Sequence, residues 1–97
     1  MYIVLLKFST NKSQAGEFME GHNLWIKRGF DQGLFLVVGG LQPNQGGGIV
    51  AHNISQNELE RFVNEDPFVS NNVVSAEILE ISPAKTDDRL SFLLQNQ

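Results

Sequence analysis

Cysteine is absent from the 97-residue chain. Its absence excludes disulfides, thiolate metal ligands and cysteine nucleophiles, although it leaves the redox compartment undecided. Cationic side chains are also scarce, since seven Lys and Arg stand against eleven Asp and Glu, giving a formal net charge of -4. Because no basic stripe is available to follow a phosphate backbone, we expect no nucleic-acid partner.

Long apolar runs are lacking as well. The opening run from Tyr2 to Leu6 is short, is broken by Lys7 and has no basic region before it. It therefore resembles neither a signal peptide nor a membrane-spanning segment. We expect a soluble, cytoplasmic protein that has no membrane partner.

The pattern of apolar residues predicts elements in the order βαββαβ. Strands are predicted over residues 2–8, 34–38, 49–54 and 74–81, helices over 11–32 and 55–66, and a short terminal helix over 86–94. Ser55 and Glu58 have the spacing of a capping box at the start of the second helix. The stretch from Gly39 to Gly48 is rich in glycine and contains a proline, which predicts a long loop between the second and third strands.

This order predicts an α+β, ferredoxin-like fold, in which both helices pack on one face of a four-stranded antiparallel sheet. A single domain should span residues 1–97, with a core over 1–83 and a C-terminal tail over 84–97. The first two strands are apolar at nearly every position, whereas a sheet with one solvated face alternates apolar and polar residues. We therefore expect a homodimer that packs sheet against sheet.

A histidine interrupts the apolar face of the first helix. His22 lies four residues after Phe18 and four before Ile26, so it points toward whatever that face covers. Two interpretations are open: a core histidine hydrogen-bonded to a backbone carbonyl, or a residue of a functional site.

Asp66 also has two interpretations. Because Pro67 follows it, Asp66 fits the N-cap of a short turn, where its carboxylate would accept the amide of Phe68 or Val69. Alternatively, the carboxylate pairs with His22, sets the tautomer of the imidazole and leaves the other ring nitrogen free to take a proton from a substrate. His22 would then act as a general base.

Three segments resemble the YciI-like (YCII-related) family in their order and spacing. They are His22-Asn-Leu-Trp-Ile, Gly33-Leu-Phe-Leu-Val-Val-Gly-Gly40 and Asp66-Pro-Phe-Val, and the resemblance covers roughly residues 2–81. It implies a dimeric α+β barrel with an active site built around His22 and Asp66. Gly40 and Phe68 from the same segments, together with His52, are our candidates for contacting a small-molecule ligand. This chain departs from the family pattern by the two residues between Gly40 and Pro43 and by its long tail.

The resemblance further implies cofactor-free proton transfer on a small ring or lactone-like compound, of the lyase or isomerase type. Whether the chain is an enzyme stays open, because a small-ligand-binding or regulatory dimer, or a purely structural module, fits the same residues. The candidate metal ligands His22, His52, Glu65 and Asp66 match no metal-binding spacing. We expect neither a metal nor a cofactor.

Overall fold

A computed structural model describes residues 1–94 of the chain. Four strands form one antiparallel sheet in the order β2-β3-β1-β4: β1 (Tyr2–Phe8), β2 (Phe35–Leu41), β3 (Gly46–Ala51) and β4 (Val74–Glu80). The helices are α1 (Ala15–Asp31), α2 (Gln56–Asn64) and the one-turn α3 (Pro67–Ser70), with 3-10 segments at Lys12–Gln14 and Asp88–Leu94. The predicted ferredoxin-like α+β fold is confirmed, with α3 as an addition before β4.

The hydrophobic core lies between the helices and one face of the sheet, here called the inner face. The side chains of Tyr2, Val4 and Leu6, at alternate positions of β1, are buried on this face. Trp25 of α1 is only 1% exposed, and its indole Nε1 donates a hydrogen bond to the carbonyl oxygen of Phe62 at 2.8 Å. Helices α1 and α2 are therefore joined by a polar contact inside an apolar layer.

The opposite, outer face of the sheet carries an apolar row, although Lys7, Ser75 and Glu77 also lie on this face. The strand register aligns Val37, Val50, Ile3 and Leu79 in one row across the four strands. Val37 is 58% exposed and Leu79 is 44% exposed. An exposed apolar row of this kind is unusual on a free surface. The sequence predicted it, because the first two strands are apolar at nearly every position.

The prediction of a loop from Gly39 to Gly48 is wrong, because most of this segment belongs to β2 and β3. Gly39 pairs with Gly48, and Gly40 pairs with Gly47, so the turn shrinks to residues 42–45. Glycine is unfavourable in an isolated strand, but here β3 lies between β1 and β2 and forms backbone hydrogen bonds on both sides. At Gly46 the backbone has φ of 130°, a region that favours glycine.

The predictions for the start of α2 and for the C-terminal tail are confirmed in part. Ser55 Oγ accepts a hydrogen bond from the Glu58 amide at 3.2 Å, which confirms the predicted start of α2. The terminal helix is a 3-10 helix rather than an α-helix, and Leu93 is its buried residue. The last three residues of the predicted tail lie outside the described range. None of the helices within residues 1–94 combines the length and the apolar character needed to cross a membrane.

We expect Trp25→Ala to lower the free energy of unfolding by about 3–5 kcal/mol, because the change empties core volume and removes the indole hydrogen bond to the Phe62 carbonyl. Phe30 is the matched control, because it is an aromatic residue on the same helix but is 45% exposed. Phe30→Ala should cost less than half as much. Urea denaturation of both variants measures the difference, and equal losses would contradict this account of the core.

Candidate active site

The structure brings His22 and Asp66 together. His22 Nδ1, on α1, lies 2.8 Å from Asp66 Oδ1, which precedes α3. Asp66 is 0% exposed, whereas the His22 side chain is 13% exposed. A buried carboxylate is costly unless hydrogen bonds and a positive partner compensate the lost hydration, so its surroundings determine what it can do.

The same carboxylate oxygen caps α3. Asp66 Oδ1 accepts a hydrogen bond from the Phe68 amide at 2.9 Å, and Pro67 occupies the first turn of the helix. The two interpretations of Asp66, as an N-cap and as a partner of histidine, are therefore both realised, by one oxygen atom. Capping fixes the carboxylate relative to α3, and the carboxylate in turn fixes the imidazole.

Aromatic rings hold the plane of the imidazole. The Phe68 ring stacks on His22 with a centroid separation of 4.0 Å and an angle of 5°. The Trp25 ring lies 6.0 Å away at 24°. Since Nδ1 faces a carboxylate, the neutral ring carries its proton there and leaves the Nε2 lone pair free. No hydrogen bond among the described residues engages Nε2.

His22 lines a cavity of about 230 Å³ between α1 and the sheet. Its other lining residues are Leu6, Phe8, Met19, Asn23, Gly39, Gly46, Gly47, Phe68 and Val74. The imidazole thus bonds to a carboxylate instead of a backbone carbonyl, and it borders open space instead of packed core. Both observations favour a site residue over a purely structural one.

Of the three predicted ligand contacts, only Phe68 lines the cavity with His22. Gly40 does not line it, although its neighbours across the hairpin do. His52 follows the end of β3 and lines a separate cavity of about 520 Å³. The structure therefore separates the two histidines.

The His52 cavity has its own polar character. Tyr2, Glu58 and Glu80 also line it, and the Phe92 ring of the tail meets the His52 ring edge-on at 5.5 Å. Burial, with a smaller contribution from the Glu80 carboxylate, raises the pKa of Tyr2. The part of the tail up to Leu94 thus borders this cavity and does not line the one at His22.

Sequence reasoning missed Asn23 and Gly47 as lining residues. Asn23 is adjacent to His22 in the sequence, and this proximity was the one available signal. Gly47 was hidden because its glycine-rich surroundings predict a loop. Among residues 1–94, no group of three or more His, Asp or Glu side chains is placed to hold a metal ion.

No protein-family profile and no curated protein sequence matches the chain. A solved structure is similar: 5-chloro-2-hydroxyhydroquinone dehydrochlorinase from Burkholderia phenoliruptrix, in complex with 2,5-dihydroxybenzoquinone. The TM-score is 0.70 at 14% sequence identity, and the match covers 91% of this chain and 100% of that chain. A likeness at this level of identity shows that the two proteins share the ferredoxin-like fold.

Proposed function

We propose that His22 and Asp66 form the acid-base centre of a small cofactor-free enzyme of the lyase or isomerase type, acting on a small ring or lactone-like compound. One observation carries the proposal: the 2.8 Å contact between His22 Nδ1 and a fully buried carboxylate, beside a cavity that His22 itself lines. A histidine fixed in this way has one nitrogen committed to the protein and one available to a ligand.

In the proposed reaction, Nε2 of His22 takes a proton from an acidic C–H bond of the bound ring. The Asp66 carboxylate stabilises the resulting imidazolium, so Asp66 is a positioning residue that acts through His22. In an isomerisation the proton returns to a different atom of the same compound. In an elimination the carbanion electrons form a new double bond and expel the leaving group. A positioned base contributes on the order of 10²- to 10⁴-fold, which suits a substrate whose C–H is already acidic.

The similar fold supports a small-molecule role, because the dehydrochlorinase acts on a substituted hydroquinone. We further propose that the chain is a single domain of the YciI-like family. The shared ferredoxin-like order, the helix histidine and the Asp66-Pro-Phe segment support this assignment. At 14% identity, the residue roles depend on the geometry of this chain and not on the neighbour.

We propose that the protein works as a homodimer formed through the outer face of the sheet. The row containing Val37 and Leu79 is exposed, and a second copy of the same face would remove it from water. The His22 cavity lies on the inner face, so pairing through the outer face leaves α1 and its histidine in place.

Turnover can be tested without knowledge of the natural substrate. We expect the protein to accelerate the uptake of solvent deuterium into C–H bonds of at least one compound in a panel of hydroxylated rings and unsaturated lactones, followed by NMR. His22→Gln should reduce the rate by about 10²- to 10⁴-fold, because no base remains. His52→Gln is the matched control and should leave the rate unchanged. A wild-type rate in His22→Gln would contradict the assignment, and binding without any exchange would favour a non-catalytic ligand-binding protein.

The orientation of His22 makes a second prediction. Nitrogen NMR of labelled histidine should show the neutral His22 ring protonated on Nδ1, because that atom faces the carboxylate. Asp66→Asn retains an acceptor oxygen and should keep this tautomer while slowing turnover. Asp66→Ala removes the acceptor, so both neutral tautomers of His22 should then be populated. If Asp66→Ala leaves the tautomer unchanged, Asp66 does not orient His22.

Two lysine substitutions on β2 separate assembly from folding. Wild-type protein should sediment at about twice the chain mass of 10.8 kDa. Val37 is 58% exposed on the outer face, so Val37→Lys should yield a folded monomer. Phe35 is 4% exposed in the core, so Phe35→Lys should unfold the protein because the charge would be buried without a partner. A wild-type monomer in sedimentation would refute the dimer.

A further inference from the structure

The cavity beside His22 exists because side chains are missing from the inner face of the sheet. The register places Leu6, Gly47 and Gly40 side by side on β1, β3 and β2. Leu6 is 3% exposed on the inner face, so its neighbours in the row point the same way. Gly47, which lines the cavity, contributes no side chain to it, and the space below α1 is left unfilled.

Gly47 could carry a side chain without strain in the backbone. A Cβ atom built there meets only the Gly39 carbonyl oxygen, at 3.5 Å, which is an ordinary contact, and no positive φ is recorded at this position. Gly46 differs, because a Cβ atom there would collide with the backbone at Leu6. Glycine at position 47 is thus not required by the turn, and its effect is to keep the cavity open.

The volume of the cavity and the polarity of its lining indicate which ligand it can hold. A cavity of about 150 Å³ accepts a benzene ring, so about 230 Å³ accommodates one six-membered ring with a few small substituents. The apolar side chains of Leu6, Phe8 and Val74 border it, while the polar side chains among the lining residues are His22 and Asn23.

No Lys or Arg is among the described residues that line the cavity. The Lys12 ammonium lies 4.5 Å from the centre of the Phe8 ring, outside the lining. A ring that carries a carboxylate would lose hydration in this cavity without gaining a Lys or Arg partner. The apolar border and the two polar groups instead suit a ring whose hydroxyl or carbonyl groups occupy one edge.

We propose that the cavity takes a single six-membered ring without a carboxylate, that the ring lies over Gly47, and that its oxygen-bearing edge faces His22 and Asn23. The inference deepens the proposed function and rests on it for the location of the site. Gly47 is then a determinant of specificity: a larger residue at this position would exclude the ring while leaving the His22–Asp66 pair untouched.

Binding of hydroquinone, followed through the ring protons of the two histidines, tests the proposal separately from turnover. Hydroquinone should shift the His22 signals saturably and leave those of His52 unchanged. The comparator 2,5-dihydroxybenzoate, which keeps both hydroxyl groups of hydroquinone and adds a carboxylate to the ring, should bind at least about tenfold more weakly. Absence of saturable shifts at His22 with hydroquinone, or equal affinity for the two compounds, would overturn the proposal.

Substitutions of glycine locate the ring. Gly47→Ala and Gly47→Val should weaken hydroquinone binding progressively, with a loss of at least about tenfold for valine, since three carbon atoms would occupy the space of the ring. The control is Gly16→Ala, on the exposed side of α1 with no atom near the added methyl group, which should bind normally. Circular dichroism establishes that each variant folds. Unchanged binding in a folded Gly47→Val protein would refute the placement, whereas intact hydroquinone binding without deuterium exchange on any compound would refute only the proposed catalysis.

Discussion

One buried carboxylate oxygen connects the local structure around α3 to the candidate site. Asp66 Oδ1 accepts the Phe68 amide at 2.9 Å and lies 2.8 Å from His22 Nδ1, so the start of α3 and the orientation of the imidazole depend on the same atom. Removal of either donor would leave a buried anion less compensated. The second oxygen, Oδ2, is buried without a partner among residues 1–94, which increases the dependence on Oδ1.

The parts of the fold and site that the sequence predicted are those set by local periodicity. The apolar spacing of α1 places His22 toward the interior, and the Asp-Pro pair predicts a cap at Asp66. Neither pattern reveals that the two side chains meet, because their contact depends on how α3 packs against α1. The resemblance to a family supplied that link, and the observed hydrogen bond agrees with it.

The parts that the sequence did not predict depend on tertiary context. The low strand preference of glycine predicts a loop from Gly39 to Gly48. Pairing of β3 with β1 and β2 nevertheless holds most of this segment in the sheet. His52 was predicted to lie on β3 and to contact the ligand, but the strand ends at Ala51 and His52 lines a different cavity from His22. Asn23 was passed over because exposed polar residues on helices are common. In each case the deciding factor was the packing of elements distant in sequence.

Successive side chains of β1 point alternately to the inner and outer faces of the sheet, and this alternation limits how the chain tolerates insertions. Leu6 borders the cavity on the inner face, while Ile3 belongs to the exposed row on the outer face. A shift of the strand by one residue exchanges the two sets of side chains. A single inserted or deleted residue within β1 would therefore damage the cavity beside His22 and the outer surface at once, whereas a point substitution can alter either one alone. Length changes in this strand should be far rarer among functional variants than changes of residue type.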